Sequence, residues 1–390
     1  MQTVDQATAP PAFPSRLPSV GTTIFTVMSA LAARTGAVNL GQGFPDFPCD
    51  PALVDAVSEA MRDGHNQYAP MTGAPILRQA IAAKIERCYA RRYDVDTEIT
   101  VTAGATEALT GAILCAVSPG DEVIVIEPSY DSYLPAIALA GGIAVPVAMQ
   151  APDYAIPFDR LAAAITPRTR MLIVNTPHNP TGRIWRHADM LRLTELLRDT
   201  QILLLSDEVY EHMVFDAVAH ESVARHPELA ARSFVVSSFG KTYHTTGWKV
   251  GYVVAPAPLS AEFRKVHQYN TFSVNTPMQV GIAHYMADPA PYRDLPAFYQ
   301  RKRDRFQAGL AGSRFRLLPC EGTYFQCVDY SAISDMSEAD FAQWLTTEHG
   351  VAAIPVSAFY SAPHEASIVR FCFAKRDETL DAALQKLCRL

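Results

Sequence analysis

The middle of the chain alternates short apolar runs with longer amphipathic segments. Strand-like runs fall at 99–102, 122–126, 143–148, 171–175, 202–206, 233–237 and 250–255. Some, such as Ile202-Leu203-Leu204-Leu205, are apolar without interruption, as expected of strands buried on both faces. Helical patterns fill intervals at 106–117, 187–199 and 258–268. Strands alternating with helices predict an α/β unit with a mostly parallel seven-stranded sheet covered on both sides. Pro289 and Pro291 break this rhythm. A polar-amphipathic segment at 295–310 then reads as a connecting helix. Beyond it, strand patterns at 322–328 and 368–373 and helical patterns at 337–348 and 377–390 predict a smaller α+β unit. The expected organisation is an N-terminal arm at 1–17, a large domain at 46–288, and a discontinuous small domain that joins 18–45 to 289–390. No internal repeat is visible.

Composition changes this picture little. The 390 residues are 49% hydrophobic and 19% charged, which suits a folded chain with a large core. A net charge of −7 without a basic block argues against nucleic acid or an anionic membrane as partner. The longest uncharged run, 132–152, contains Pro135, Gly141-Gly142 and Pro146, so it reads as helix, turn and strand rather than a membrane span. The N-terminal residues are rich in Ala and Pro and lack the apolar core of a signal peptide. Seven cysteines without a Cys-x-x-Cys pair imply reduced thiols and a cytoplasmic location. No metal is expected: His220-Glu221 is followed by His226, a spacing that does not make a His-Glu-x-x-His face.

Candidate chemistry centres on Lys241. The run Ser233-Phe234-Val235-Val236 leads into Ser238-Phe239-Gly240-Lys241-Thr242, where small residues surround a lysine on a tight turn. Desolvation there would lower the amine pKa and make it a nucleophile toward an aldehyde, as in a Schiff base with pyridoxal phosphate (PLP). Gly240-Lys241-Thr242 imitates the end of a P-loop, but that motif needs glycine at 235, which is Val.

Other polar residues sit where an open α/β sheet binds ligands, past the carboxyl ends of its strands. Gly104-Ala105-Thr106 follows a strand and opens a helix, whose free N–H groups suit a phosphate. Tyr130 follows the next strand and offers a ring to stack. Asn179-Pro180-Thr181-Gly182 marks a turn with a side-chain amide to spare. Asp207 ends an apolar strand, where a carboxylate asks for a cation or caps the next helix, and Tyr210 follows it. Arg370, alone in Ile368-Val369-Arg370-Phe371-Cys372-Phe373, asks for an anion: a substrate carboxylate, or a structural Asp or Glu.

The ordered set Gly43-Phe44-Pro45, Tyr68, Gly104 to Thr106, Tyr130, Asn179-Pro180-Thr181-Gly182, Asp207 with Tyr210, Ser238-x-x-Lys241, Lys249 and Arg370 resembles the class I/II PLP-dependent aminotransferases of fold type I. The resemblance covers nearly the whole chain after the arm. It lies nearest the methionine aminotransferases, with kynurenine and glutamine transaminases as relatives. The resemblance implies that Lys241 carries PLP covalently and that Asp207 pairs with the pyridine nitrogen. It implies that Tyr210 and Asn179 bond the ring hydroxyl oxygen and that Tyr130 stacks on the ring. Gly104, Ala105, Thr106, Ser238 and Lys249 would surround the phosphate, together with Tyr68 from the partner of a homodimer. Arg370, Asn179 and the Gly43 N–H would bind the substrate carboxylate, with Phe25, Tyr68 and Phe359 forming an apolar wall.

Two positions depart from relatives: Lys249 stands where many use arginine, and Asn275 where some kynurenine enzymes align a histidine. With no second arginine for a side-chain carboxylate, the expected reaction moves the amino group of a neutral donor to a 2-oxo acid. Methionine is favoured; aromatic amino acids, glutamine and kynurenine follow. A PLP-dependent cysteine-conjugate β-lyase is the nearest rival, and pyruvate release without an oxo-acid acceptor would distinguish it. A dinucleotide-binding dehydrogenase fits poorly, because Asp46 replaces the third glycine after Gly41-Gln42-Gly43. A PLP-fold regulator would need a DNA-binding domain, for which this acidic chain has neither room nor charge.

Overall fold

The structure, a computed structural model, describes residues 14–390, so the expected arm lies mostly outside the described residues. After a short strand β1 (Val38–Asn39), seven strands build the main sheet. They are β2 (Ile99–Thr102), β3 (Glu122–Glu127), β4 (Ile143–Ala148), β5 (Thr169–Asn175), β6 (Leu203–Asp207), β7 (Ser233–Ser238) and β8 (Gly251–Val254). Their spatial order is β2-β8-β7-β6-β5-β3-β4. Every neighbour pair is parallel except those of β8, which runs antiparallel to both β2 and β7. The apolar runs explain the placement. β3 is buried at every position, as a central strand must be, whereas β4 is half-exposed and carries Pro146 at the edge, where a missing N–H is tolerated.

Helices cover both faces. On one, Ala108, Leu109 and Ile113 of the helix Ala105–Ala116 meet Phe263 of the helix Ala257–Asn270. On the other, Leu77, Ile81 and Ile85 of the helix Pro75–Tyr89 join a core with Leu172, Leu204 and Tyr252.

A second sheet follows: β9 (Arg316–Leu317), β10 (Phe325–Asp329), β12 (Ile354–Pro355) and β13 (Ile368–Cys372), ordered β12-β13-β10-β9 and antiparallel throughout. β11 (Val351–Ala352) pairs in parallel with β1, and Cys372 N–H donates to Leu40 O (2.7 Å). Its core includes Leu31, Tyr299, Phe306, Phe341, Val369, Phe371 and Leu384.

Differences from the expected elements are local. The strand expected from 322 starts only at Phe325, because Thr323 adopts a left-handed φ of 67° and its hydroxyl accepts from Phe325 N–H (3.1 Å). The tight turn expected at Lys241 is one helical turn, Phe239–Thr242. Among the described residues no helix is long and apolar enough to cross a membrane.

Candidate active site

Because β2, β5, β6 and β7 run in the same direction, their carboxyl ends gather at one edge of the sheet. A concave cavity opens there, the usual form of a small-molecule site. One end of it is built for an anion. Gly104, with φ of 78°, caps the helix Ala105–Ala116 without any side-chain cap, so Ala105 and Thr106 present first-turn N–H groups to the cavity. Lys249 leans over the same point: a Cβ on Gly104 would come within 3.2 Å of its Nζ. A Cβ on Gly251 would come within 3.1 Å of Ala105 N. An ammonium placed on the positive end of a helix is unfavourable unless an anion lies between them. Ser238 and Thr246 complete this end.

Asp207 lies at the far end, 3% exposed. Its Oδ2 accepts from Tyr133 Oη (2.7 Å) and its Oδ1 from Val209 N–H (3.3 Å). The second bond closes a turn rather than capping a helix. Burial pushes the carboxyl up to about 6, and the Tyr133 bond, Val209 N–H and Lys241 only partly offset this. Asn175, opposite Asp207 in the β5–β6 ladder, donates to Asp207 O (2.9 Å) and accepts from Asn179 N–H (2.8 Å). That pair of bonds sets the 179–182 turn against the cavity. Tyr130 and Tyr210 add aromatic faces to the lining.

Lys241 points into the space between these ends. Its Nζ lies 3.0 Å from Tyr324 Oη and 3.3 Å from Gly43 O. Surrounding protein lowers the amine to about 8: burial is the main cause, while the positive charges of Arg370 and Lys249 add to it and Asp207 opposes it. Gly43 must be glycine, since a Cβ would come within 2.8 Å of Phe325 Cζ.

Arg370 in β13 is 1% exposed. Nη1 donates to Asn179 Oδ1 (2.6 Å) and Nη2 to Gly41 O (3.1 Å), both neutral acceptors, and the buried Nε has no partner. Its guanidinium lies 3.8 Å from the ring centre of Phe325, 5.0 Å from Phe359 and 5.4 Å from Phe25. A buried cation satisfied only by neutral groups is costly, and a planar carboxylate suits its fork.

The structure thus gathers Gly104, Ala105, Thr106, Tyr130, Asn179 and Asp207 with Tyr210, Ser238, Lys241 and Lys249 around one cavity. Phe25 and Phe359 pair edge to face beside Arg370. The Gly43 carbonyl points toward Lys241. Tyr68 is not brought to the cavity of its own chain; it is 80% exposed and packs on Phe272. Asn275 is likewise absent from the lining and caps the helix Thr276–Tyr285. Tyr133, Asn175, Tyr324 and Phe325 went unnoticed in the sequence, because nothing local marks a buried tyrosine that meets a partner tens of residues away. Held together, these groups can take a flat ligand with a cationic ring atom at one end and a phosphate-like anion at the other, beside a bound carboxylate.

Residues 35–387 match the family model described as aminotransferase class I and II. The chain is 54% identical to the methionine aminotransferase of Escherichia coli (strain K12), covering 96% of this chain and 98% of that one. The solved structure of YbdL from Escherichia coli, identified as a methionine aminotransferase, superimposes with a TM-score of 0.96 at 54% identity, covering 97% and 100% of the two chains. The N-succinyldiaminopimelate aminotransferase structure from Mycobacterium tuberculosis gives a TM-score of 0.93 at 42% identity, with 97% and 100% covered. Kynurenine–oxoglutarate transaminase 1 of Homo sapiens is 33% identical, over 92% of this chain and 93% of that one.

Proposed function

The chain belongs to the class I and II aminotransferases, and from that premise we propose that it works with pyridoxal phosphate on neutral amino donors, methionine first. PLP fits the residues present. Its phosphate matches the helix N-terminus under Lys249, and its pyridinium nitrogen matches the buried Asp207 carboxylate. When bound, PLP draws away the electron pair left at the substrate Cα and carries the amino group between donor and acceptor.

The chain's own groups do the rest. Lys241 Nζ, lowered to about 8, is uncharged often enough near neutrality to act as nucleophile toward the cofactor aldehyde. With PLP bound, the Lys241 amine would serve as the base that takes the substrate Cα proton and gives it back, a role worth about 10²–10⁴-fold. Tyr324 Oη and Gly43 O hold that amine in place. Asp207 would hold the ring nitrogen protonated. Tyr130 would stack on the ring, and Tyr210 and Asn179 would bond its hydroxyl oxygen. Arg370 and Asn179 take the substrate carboxylate.

The observation that carries the donor preference is the surrounding of Arg370. Three phenylalanine rings flank it, and among the described residues no further arginine lines the cavity to receive a second carboxylate. The identity to a methionine aminotransferase supports the same reading. Assays of methionine, phenylalanine, glutamine, kynurenine and aspartate against several 2-oxo acids test it. Methionine should exceed aspartate in kcat/KM by about 100-fold or more, since an unpaired buried carboxylate is penalised by several kcal/mol. Aspartate as the best donor would overturn the preference.

Tyr133 acts on the cofactor through Asp207. In the cofactor-free chain, Asp207 loses its charge as pH falls through about 6, so PLP affinity should weaken there. Tyr133→Phe removes a bond that favours the carboxylate and should move that midpoint up by about one unit. Affinity at pH 8.5, where the carboxylate is ionised in both, should change by less than about threefold. Coincident pH profiles for the two proteins would show that Tyr133 does not tune Asp207.

We further propose the two-domain division expected from the sequence, because 18–45 and 289–390 contribute to one core. The exposed Tyr68 supports a homodimer in which it reaches the phosphate of the neighbouring subunit. All seven cysteines are free, in keeping with a reducing, cytoplasmic location.

A further inference from the structure

Three metal-ligating side chains meet at a place that amino-group transfer does not use. His187 is the first residue of the helix His187–Leu197. Glu221 and His226 flank the short turn Val223–Arg225 beyond β6. Glu221 Oε1 lies 3.1 Å from His187 Nδ1 and 2.8 Å from His226 Nε2, and the ligand atoms of all three residues lie within 4.8 Å of one another. None of the three lines the Lys241 cavity. We propose that His187, Glu221 and His226 form a binding site for one divalent transition-metal ion of the zinc type.

The donor set of two imidazoles and one carboxylate suits Zn²⁺ or Co²⁺ rather than Mg²⁺ or Ca²⁺, which prefer all-oxygen shells. Metal–nitrogen and metal–oxygen bonds of about 2.0–2.2 Å set tetrahedral donors about 3.3 Å apart. The 3.1 and 2.8 Å separations need to open by only a few tenths of an ångström. As ligands both rings would be neutral, with the nitrogen that now faces Glu221 bound to the ion and the single ring proton on the other nitrogen.

The site is also held in place. Ser222 Oγ accepts from Ala224 N–H (3.1 Å), and His226 N–H donates to Val223 O (3.0 Å), which fixes the turn between two of the ligands. Glu221 and His226 are largely buried, with side chains 14% and 8% exposed, while His187 at 68% leaves the fourth position open to water. Arg225 is a positive charge near Glu221. Its guanidinium is turned to Cys88 O (3.1 Å). The ion would tie the start of one helix to a turn 34 residues away, as a structural clasp distinct from the catalytic apparatus.

The test uses tag-free holoenzyme titrated with Zn²⁺ by calorimetry and with Co²⁺ by visible absorption. One ion per chain with micromolar affinity is expected, together with tetrahedral Co²⁺ bands and a Tm that rises with Zn²⁺. His187→Ala should weaken binding by about tenfold or more and abolish the Tm response. It should lower the metal-free Tm only by the loss of one hydrogen bond to Glu221 and leave the cofactor absorbance unchanged, since His187 is exposed and lies outside the Lys241 cavity. Glu221→Gln should weaken binding similarly. Equal stoichiometry and affinity in wild type and His187→Ala would place the ion elsewhere and overturn the site. Absence of saturable binding by the wild type would overturn it as well.

Discussion

Lys241→Ala should lose transamination by at least about 10⁴-fold while remaining folded. The loss exceeds that of a simple general base, because one amine both anchors the cofactor and moves the substrate proton. The visible absorbance of covalently held cofactor should vanish with it. Stability should not suffer. The fold lowers this lysine from 10.5 to about 8, so below pH 8 its charged form opposes folding, and that penalty fades as pH rises past 8. At pH 7 the cofactor-free variant should therefore be at least as stable as the cofactor-free wild type. Steady-state rates, an absorbance spectrum and thermal melts at pH 7 and pH 10 check each part. Retention of more than about 1% of turnover with the absorbance intact would remove Lys241 from the centre of the mechanism.

Arg370→Ala should lower kcat/KM for methionine by about 10²–10³-fold, since losing one partner of a buried charge pair costs about 3–5 kcal/mol. The alanine also opens space beside Phe325, so Arg370→Lys is the more informative companion. It keeps most of the volume and the charge but loses the planar fork. We expect an intermediate loss in kcat/KM with unchanged cofactor absorbance. A probe without a carboxylate, 3-(methylthio)propylamine, separates binding of the carboxylate from damage to the site. Its poor turnover should be alike in wild type and both variants, so the preference for methionine over it should collapse. An unchanged preference in both variants would mean that the carboxylate is held elsewhere.

Much of the main sheet was legible along the chain, for a local reason. Runs such as 202–206 and 233–237 are apolar and end at small or polar residues, so burial on both faces and the strand ends are written in consecutive positions. The helix Pro75–Tyr89 was harder to read. Arg78 and Lys84 sit on its buried side, where they bond Gly73 O and pair with Glu211, and they blur the apolar stripe. Thr276–Tyr285 was obscured in the same way by Gln279, which is buried because it accepts from Ala74 N–H (2.7 Å) and donates to Val274 O (2.8 Å). In both helices a tertiary partner makes a polar residue tolerable inside, and no window of the sequence contains that partner.

The candidate site divides along the same line. Lys241, Asp207, Asn179 and Arg370 were found because each interrupts an apolar run or a glycine-rich turn with a residue that such a place rarely holds. Tyr133 and Tyr324 were missed because they meet Asp207 and Lys241 across separations of 74 and 83 residues. His187 escaped in the same way. Spacing alone set His220, Glu221 and His226 aside, and only folding brings His187 to Glu221.

By itself, then, the sequence determined the α/β architecture, the family and the inventory of reactive side chains, since these follow from periodicity and from residues placed at strand ends. The tertiary structure decided their states: an Asp207 carboxyl near 6, a Lys241 amine near 8, an Arg370 that donates only to neutral acceptors, and a Gly43 carbonyl turned to the lysine. Those properties depend on desolvation and on charges a few ångströms away, which distant segments supply only once the chain has folded.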